Sequence, residues 1–185
     1  MKDSFLQIGT QIPDFFYNTP YENALSFHSA LAKVSGKTAI IFLRFYGCRL
    51  SQYDIMQYAQ NYAEIVGTDA QLLVVLQSKA EIIMEALQGE KLPFEFICDP
   101  DSKLYKLFHV VPGLSEESVL HDTKSAEKIE VAVAAGIVKG EPEGEHLQLP
   151  ATFVVDRNHV LTYAYYGVSG ADTLSPEQLH TVLHD

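Results

Sequence analysis

Three short apolar runs alternate with longer amphipathic segments, and this alternation restricts the fold more than any other feature of the chain. The runs are 38–45, 71–77 and 94–98, and they are rich in β-branched or aromatic residues with few charges. Such runs are typical of strands that are buried on both faces. Because each run is followed by a segment with helical spacing, the pattern predicts an α/β fold with parallel strands covered by helices.

The remaining elements follow from spacing and turn residues. The predicted helices are Glu22–Val34, Cys48–Val66, Lys79–Leu87, a helix from the Asp99-Pro100-Asp101 turn to Phe108, one around Lys124–Val138, and one opened by Ser175-Pro176-Glu177. The runs 151–156 and 160–166 are joined by three residues, which predicts an antiparallel hairpin. Residues 111–148 break the rhythm and are expected to form an inserted helical and loop segment within a single domain spanning residues 1–185.

Composition excludes several classes of function. The net charge of −11 argues against nucleic acid and anionic membranes, because phosphate binding needs clustered cations. No apolar run is long enough to span a bilayer, and the first seven residues lack the features of a signal peptide, so a cytoplasmic location is expected. The seven histidines lack metal-ligand spacing and no glycine-rich phosphate loop is present, so neither metal nor cofactor is expected.

Cys48 is the candidate nucleophile. It follows an apolar strand and Gly47 and begins an amphipathic segment, which places its thiol at a helix N-terminus. The partial positive charge and free amides of that position favour the thiolate, which is the nucleophilic form. Arg49, in the first helical turn, and Arg44, near the strand end, are expected either to add positive charge there or to point into solvent.

Only one other cysteine is present, and Ser51 stands where a Cys-x-x-Cys pair would carry its second sulfur. The Ser51 hydroxyl is expected either to donate a hydrogen bond to the thiolate or to satisfy backbone groups of the helix start. Cys98 ends the third strand, with the strand 71–77 expected between it and the strand of Cys48. Two strand spacings give about 10 Å, beyond the roughly 7 Å limit for a disulfide, so Cys98 is expected to be a packed structural thiol.

Four stretches together resemble a known family. They are Ile12-Pro13-Asp14-Phe15, Phe45-Tyr46-Gly47-Cys48, Ile97-Cys98-Asp99-Pro100-Asp101 with Leu104-Tyr105, and Gln148-Leu149-Pro150-Ala151-Thr152-Phe153-Val154-Val155-Asp156. In order and spacing they resemble a peroxiredoxin-like protein of the alkyl hydroperoxide reductase/thiol-specific antioxidant group, within the thioredoxin superfamily. The resemblance implies a thioredoxin-like fold, with a central mixed sheet flanked by helices.

The resemblance also bears on individual site residues. It implies that Pro150 is a cis-proline facing the Cys48 thiol. The chain departs from peroxiredoxins at Phe45 and Ile41, where that family carries a Thr or Ser and a Pro, so the local sequence is closer to a thioredoxin-type site. The acidic stretch 141–145 is expected either to lie near the site and repel anions or to be a solvated loop.

These observations lead to one main hypothesis and two alternatives. The main one is a thiol oxidoreductase or peroxidase of one-cysteine type, in which Cys48 attacks a hydroperoxide or disulfide and an external thiol, glutathione or a protein dithiol, restores it. Its predicted site residues are Cys48, Ser51, Arg49 and Pro150. The second is a redox-silent binding module that captures partners near Cys48 and Pro150. The third is a homodimer linked through Cys48.

Overall fold

A mixed five-stranded sheet lies between two layers of helices in the computed structural model, which describes residues 5–185. Residues 1–4 lie outside the described residues. The expectation that there is no signal peptide rests on the first seven residues and therefore falls partly on them. The strands are β1 (Phe16–Tyr17), β2 (Leu25–Ser26), β3 (Thr38–Phe42), β4 (Gln71–Leu76), β5 (Glu95–Cys98), β6 (Ala151–Val155) and β7 (Leu161–Tyr166). The helices are α1 (Phe27–Leu31), α2 (Arg49–Gln60), α3 (Tyr62–Val66), α4 (Ala80–Leu87), α5 (Lys103–Leu107), α6 (Glu116–Leu120), α7 (Thr123–Ala134) and α8 (Pro176–His184).

The strand order is β5-β4-β3-β6-β7, with β3 at the centre. Strands β3, β4 and β5 are parallel, whereas β6 pairs antiparallel with both β3 and β7. Strand β4 therefore separates the strand of Cys48 from that of Cys98, as expected from the sequence. The α/β class and the mixed sheet are confirmed.

The central strand β3 is buried on both faces, which explains its unbroken apolar sequence. Ala39 and Ile41 pack into one core cluster, which also contains residues of α2, α3, α4 and α8. Ile40 and Phe42 pack into a second cluster with residues of α1 and α5. Since side chains alternate along a strand, one apolar run supplies both halves of the core.

The β6–β7 hairpin is confirmed, and its turn is held by one carboxylate. Asp156 Oδ1 accepts hydrogen bonds from the backbone amides of Asn158 at 2.8 Å and Val160 at 2.9 Å. The closing helix α8 also begins as its sequence indicates, with Ser175 and Gln178 forming a reciprocal capping box before and after Pro176. Both features are local, and both are predictable from short stretches of sequence.

The prediction of a helix over Glu22–Val34 is wrong for its first half. Residues 25–26 form a strand paired with β1, and the helix begins only at Phe27. Asp14 fixes this start, because its carboxylate accepts from the Ser26 hydroxyl and from the backbone amide of His28. A contact made by a residue twelve positions earlier thus overrides the helical spacing.

The helix predicted over Cys48–Val66 is divided at Asn61. Its backbone leaves the helical region, with φ −107° and ψ 14°, and its side-chain amide donates to the Gln57 carbonyl at 2.8 Å. Asn side chains compete in this way for backbone groups and so favour helix ends. The chain resumes as the short helix α3, which packs against α8.

Residues 111–148, which the sequence predicts to be an inserted segment, contain two helices and a stretch without regular secondary structure. Helix α7 is shorter than the predicted 124–138 and packs on α2, while α6 is not predicted by the sequence at all. Residues 137–148, hereafter the covering segment, run without regular secondary structure from the end of α7 towards β6. Among residues 5–185, none of the helices has both the length and the apolar character needed to cross a membrane.

A candidate active site at Cys48

Cys48 lies where a tight turn joins the end of the β3 segment to α2. Its backbone amide donates to the Phe45 carbonyl at 3.1 Å, and its own carbonyl accepts from Gln52 at 2.9 Å. The residue has extended backbone angles, φ −77° and ψ 125°, and is the N-cap of the helix. The first amides of an α-helix have no intrahelical acceptor and form its positive end. The helix-start position predicted for this thiol is therefore observed.

Arg44 points towards the thiol, which the sequence left open. Its Nη1 donates to Cys48 Sγ at 3.1 Å, and its Nη2 donates to the backbone carbonyl of His146. The side chain is 4% exposed and lies 5.3 Å from the centre of the Phe45 ring. A charged hydrogen bond in a buried setting is stronger than one in water and favours the anionic form of its acceptor. The guanidinium is therefore placed to stabilise a thiolate at Cys48.

Ser51 acts on the backbone rather than on the sulfur. Its Oγ accepts from the backbone amide of Arg44 at 3.2 Å, and both residues are buried. Among the described residues, no hydrogen bond joins Ser51 Oγ to Cys48 Sγ. Neither expectation for Ser51 is met in full, because the backbone amide that its hydroxyl satisfies belongs to the strand end rather than to the helix start. Its hydroxyl fixes the strand end from which the Arg44 side chain reaches the thiol.

The covering segment closes over the turn that precedes Cys48. Gly140 donates to the Gly47 carbonyl at 2.9 Å, and a Cβ added to Gly47 would lie only 2.8 Å from the Gly140 Cα. Backbone meets backbone here, so both positions need glycine. Arg49 Nε donates to the Ile137 carbonyl at 3.3 Å, which ties the same segment to α2. As a result, Cys48 is only 5% exposed.

A cavity of about 210 Å³ opens onto the thiol. Its lining residues come from the β3–α2 junction and from the inserted segment: Arg44, Phe45, Cys48, Arg49, Leu50, Leu120, His121, Ile129, Lys139 and His146. The structure thus brings two predicted site residues, Cys48 and Arg49, to one cavity. Ser51 does not line the cavity but contacts the backbone of Arg44, which does. The larger groove of about 960 Å³ lies elsewhere and is lined by no cysteine.

Pro150 does not fit its predicted role. Peptide bonds in the described residues are all trans, so the expectation of a cis-proline at Pro150 is wrong. Trans is the favoured isomer of an X–Pro bond by about 0.5–1 kcal/mol, and cis needs a specific reason. Pro150 is buried, its carbonyl accepts from Gly167 at 2.9 Å, and it does not line the cavity at Cys48. Its observed contacts are those of the residue directly before β6.

Cys98 has the environment of a structural thiol. It lies at the end of β5, two strands from β3, and the structure contains no disulfide among the described residues. Burial, together with the nearby carboxylates of Glu81 and Glu143, raises the pKa of Cys98 to about 12. At neutral pH Cys98 is therefore protonated and a poor nucleophile.

The raised pKa of Cys98 gives a testable pH profile. In a Cys48→Ser variant, we expect the alkylation rate of Cys98 by iodoacetamide to keep rising with pH, with no plateau below about pH 10, because only the thiolate reacts. The control is the same variant in denaturant, where the rate should level off above the free-thiol pKa of about 8.5. A plateau near that free value in the folded protein would contradict this description of Cys98.

The sequence did not predict that residues between 111 and 148 line the cavity at Cys48. His121, Lys139 and His146 line the cavity, but none of them belongs to a recognisable motif. The only local signal is the glycine-rich stretch 140–144, which indicates a close approach of the backbone without saying to what. Within the described residues, no group of three or more His, Cys, Asp or Glu side chains is placed to hold a metal ion.

Comparisons with known proteins bear on the family and the fold of this chain. A family model described as the AhpC/TSA family matches residues 8–164. A thiol peroxidase from Chromobacterium violaceum superposes with a TM-score of 0.62 at 12% identity, covering 97% of this chain and 87% of that chain. Peroxidoxin BcpB from Mycobacterium tuberculosis gives 0.60 at 13% identity, covering 96% of both chains. Identities this low show the fold alone, which is thioredoxin-like, as predicted.

Two further results complete the comparison. The yeast mitochondrial 1-Cys peroxiredoxin gives a TM-score of 0.58 at 13% identity, covering 87% of this chain and 67% of that chain, and its structure is described in terms of a thiol resolving mechanism via glutathione/thioredoxin systems. No curated protein matches the sequence.

Proposed function

This chain belongs to the AhpC/TSA family, and we propose that it is a thiol-dependent peroxidase in which Cys48 is the single reacting cysteine. The observation that carries the proposal is the hydrogen bond of 3.1 Å from the Arg44 guanidinium to the Cys48 sulfur, made at the N-terminus of α2 and beside a cavity. The helix N-terminus and the guanidinium both place positive charge beside the sulfur. The family match supports thiol redox chemistry as the general class.

The proposed reaction is a two-electron oxidation of sulfur. The Cys48 thiolate attacks the distal oxygen of a hydroperoxide, the O–O bond breaks, and the departing alkoxide takes a proton from water to become an alcohol. Sulfur is left as a sulfenic acid. Arg44 holds the thiolate in place before attack and is near the oxygen that the sulfur acquires. Ser51 is a positioning residue, since it acts only by fixing the backbone of Arg44.

Regeneration needs a thiol from outside the chain. Ser51 cannot form a disulfide, and Cys98 is separated from Cys48 by strand β4. One external thiol condenses with the sulfenic acid, which releases water and leaves a mixed disulfide. A second thiol then displaces Cys48 and leaves as the oxidised disulfide. A small thiol such as glutathione fits this cycle better than a protein dithiol does, because the covering segment leaves Cys48 only 5% exposed.

No observation favours the two alternatives. A binding module would need an open groove at Pro150, which is buried. A dimer linked through Cys48 would need that thiol at the surface, and 5% exposure opposes it. Attack of Cys48 on a disulfide instead of a hydroperoxide would still be thiol-dependent redox chemistry. The cytoplasmic location remains a prediction from the sequence.

Trapping the oxidised sulfur tests the proposal. A Cys98→Ser variant is treated with one equivalent of hydroperoxide in the presence of dimedone, which reacts with sulfenic acids, and is then analysed by peptide mass spectrometry. We expect a dimedone adduct on Cys48 together with consumption of the hydroperoxide, because the remaining thiol is the reacting one. The matched control, Cys48→Ser, retains Cys98 and should give neither result. An unmodified Cys48 with intact hydroperoxide would exclude the peroxidase function.

A further inference from the structure

The cavity at Cys48 is cationic in an otherwise acidic protein. Its lining includes Arg44, Arg49 and Lys139, as well as the imidazoles of His121 and His146, but no Asp or Glu. The chain as a whole carries a net charge of −11, so this distribution is opposite in sign to that of the molecule. A concave site lined by one sign of charge concentrates ligands of the opposite sign.

Two of these cations are not neutralised by the protein. Neither Arg49 nor Lys139 takes part in an ion pair within the part of the chain that the structure describes. Among the described residues, the ion pair that involves a lining residue is that of Glu116, whose carboxylate lies 3.7 Å from the His146 ring. That pair involves a histidine at the rim and leaves both full positive charges available to a ligand.

The acidic stretch of the covering segment is directed away from this cavity. Glu143 accepts hydrogen bonds from the Ser78 hydroxyl and from the Lys79 backbone amide, and Glu141 and Glu143 line a neighbouring groove. Glu145 accepts from the Leu147 amide at 2.9 Å. These carboxylates therefore do not line the cavity at Cys48, and the alternative in which they repel anions from the site is not the one observed.

The rest of the lining is apolar and the space is small. Phe45, Leu50, Leu120 and Ile129 form the apolar wall. The volume of about 210 Å³ is below the roughly 300–1,000 Å³ typical of pockets for drug-sized ligands. A fitting ligand is therefore a small molecule with an apolar body and an anionic group.

We propose that this cavity selects small organic hydroperoxides that carry a carboxylate, with Arg49 and Lys139 as the specificity-determining residues. The inference rests on the proposed peroxidase function and defines its substrate. The carboxylate is bound by the two cations and the apolar body by the wall, so that the hydroperoxide group is presented to Cys48. The chemical step is the one given above: sulfur gains one oxygen, and the carboxylated alcohol leaves.

A matched pair of substrates tests the proposal: cumene hydroperoxide carrying a para carboxylate, and its near-isosteric para carboxamide. With the full-length protein and excess thiol, we expect kcat/KM to be about 10-fold higher for the carboxylate than for the carboxamide. A ratio of this size corresponds to the contribution of one charge-assisted hydrogen bond. In Lys139→Gln this ratio should fall to about threefold, and in Lys139→Gln with Arg49→Gln to about one. The ratio is taken within each variant, because loss of the Arg49 hydrogen bond to Ile137 changes the rates of both substrates together. Added salt should lower the wild-type ratio, since the pairing is electrostatic.

The carboxamide serves as the internal check on folding and on the peroxidase function itself. Lys106→Gln, which removes an exposed lysine remote from the cavity, should keep the wild-type ratio. Equal rates for both substrates in the wild type would overturn the carboxylate specificity and leave the peroxidase function standing. Turnover of neither substrate, with no adduct on Cys48, would instead refute the peroxidase function.

Discussion

Replacing Arg44 with methionine is expected to lower kcat/KM for hydroperoxides by about 10- to 100-fold, since a hydrogen bond from a charged donor is worth about 1.5–3 kcal/mol. Methionine keeps an unbranched apolar stem in this buried position but cannot donate to the Cys48 sulfur 3.1 Å away. Steady-state hydroperoxide consumption with excess thiol measures the loss. The rate of Cys48 alkylation at neutral pH should fall in parallel, because both reactions use the thiolate.

Two further variants separate a role in chemistry from a role in folding. Arg157→Met removes one positive charge from an exposed turn and should leave both rates unchanged. Arg44→Lys keeps the charge but not the planar fork that reaches both Cys48 and His146, so an intermediate rate is expected. If folded Arg44→Met protein kept a turnover within about threefold of the wild type, the guanidinium would have no part in activating the sulfur.

The position of Cys48 could be predicted because everything that determines it is local. An apolar strand, a glycine and an amphipathic segment follow one another within 38–60, and each has a clear sequence pattern. The β6–β7 hairpin is predictable for the same reason, since three residues between two strands leave little choice of topology. The thiol and the architecture around it are thus encoded over short stretches of chain.

The direction of Arg44 could not be predicted in this way. The β3 ladder ends at Phe42, opposite Ala151, so strand alternation no longer decides which way later side chains point. The Arg44 guanidinium is held instead by the carbonyl of His146, which is 102 residues away in sequence. A contact of that range, made through an irregular segment, has no counterpart in local patterns. The same limitation applies to Lys139 and His121 in the cavity wall.

Two of the predictions are wrong for different physical reasons. The first half of the helix predicted over Glu22–Val34 is replaced by a strand, because β1 and the Asp14 carboxylate supply partners that the local pattern does not show. The cis-proline expected at Pro150 came from family resemblance alone, and the trans bond observed there is the intrinsically favoured one. Tertiary contacts thus decide where the helix begins, whereas the isomer at Pro150 follows the intrinsic preference of an X–Pro bond.

Replacing Asp54 with asparagine is expected to cost about 3–5 kcal/mol of unfolding free energy, because it leaves the largely buried ammonium of Lys128 without its counter-charge. The Lys128 Nζ lies 2.7 Å from Asp54 Oδ1 and 2.6 Å from Thr173 Oγ1, and the two charged side chains are only 13% and 5% exposed. This pair joins α7 of the inserted segment to α2, the helix that begins at Cys48. Urea denaturation followed by circular dichroism measures the loss.

The double variant Asp54→Leu with Lys128→Met tests whether the loss comes from an unpaired charge. Removing both charged groups together should restore most of the stability, because an apolar pair of similar volume avoids the desolvation of both ions. A double variant no more stable than Asp54→Asn would show that packing, not charge, causes the effect.

Labelling of Cys48 by a bulky maleimide links this ion pair to the site. Helix α7 supplies Ile129 to the cavity wall, so a loosened α7 in Asp54→Asn should increase the rate of Cys48 labelling. The double variant should bring that rate back towards the wild-type value.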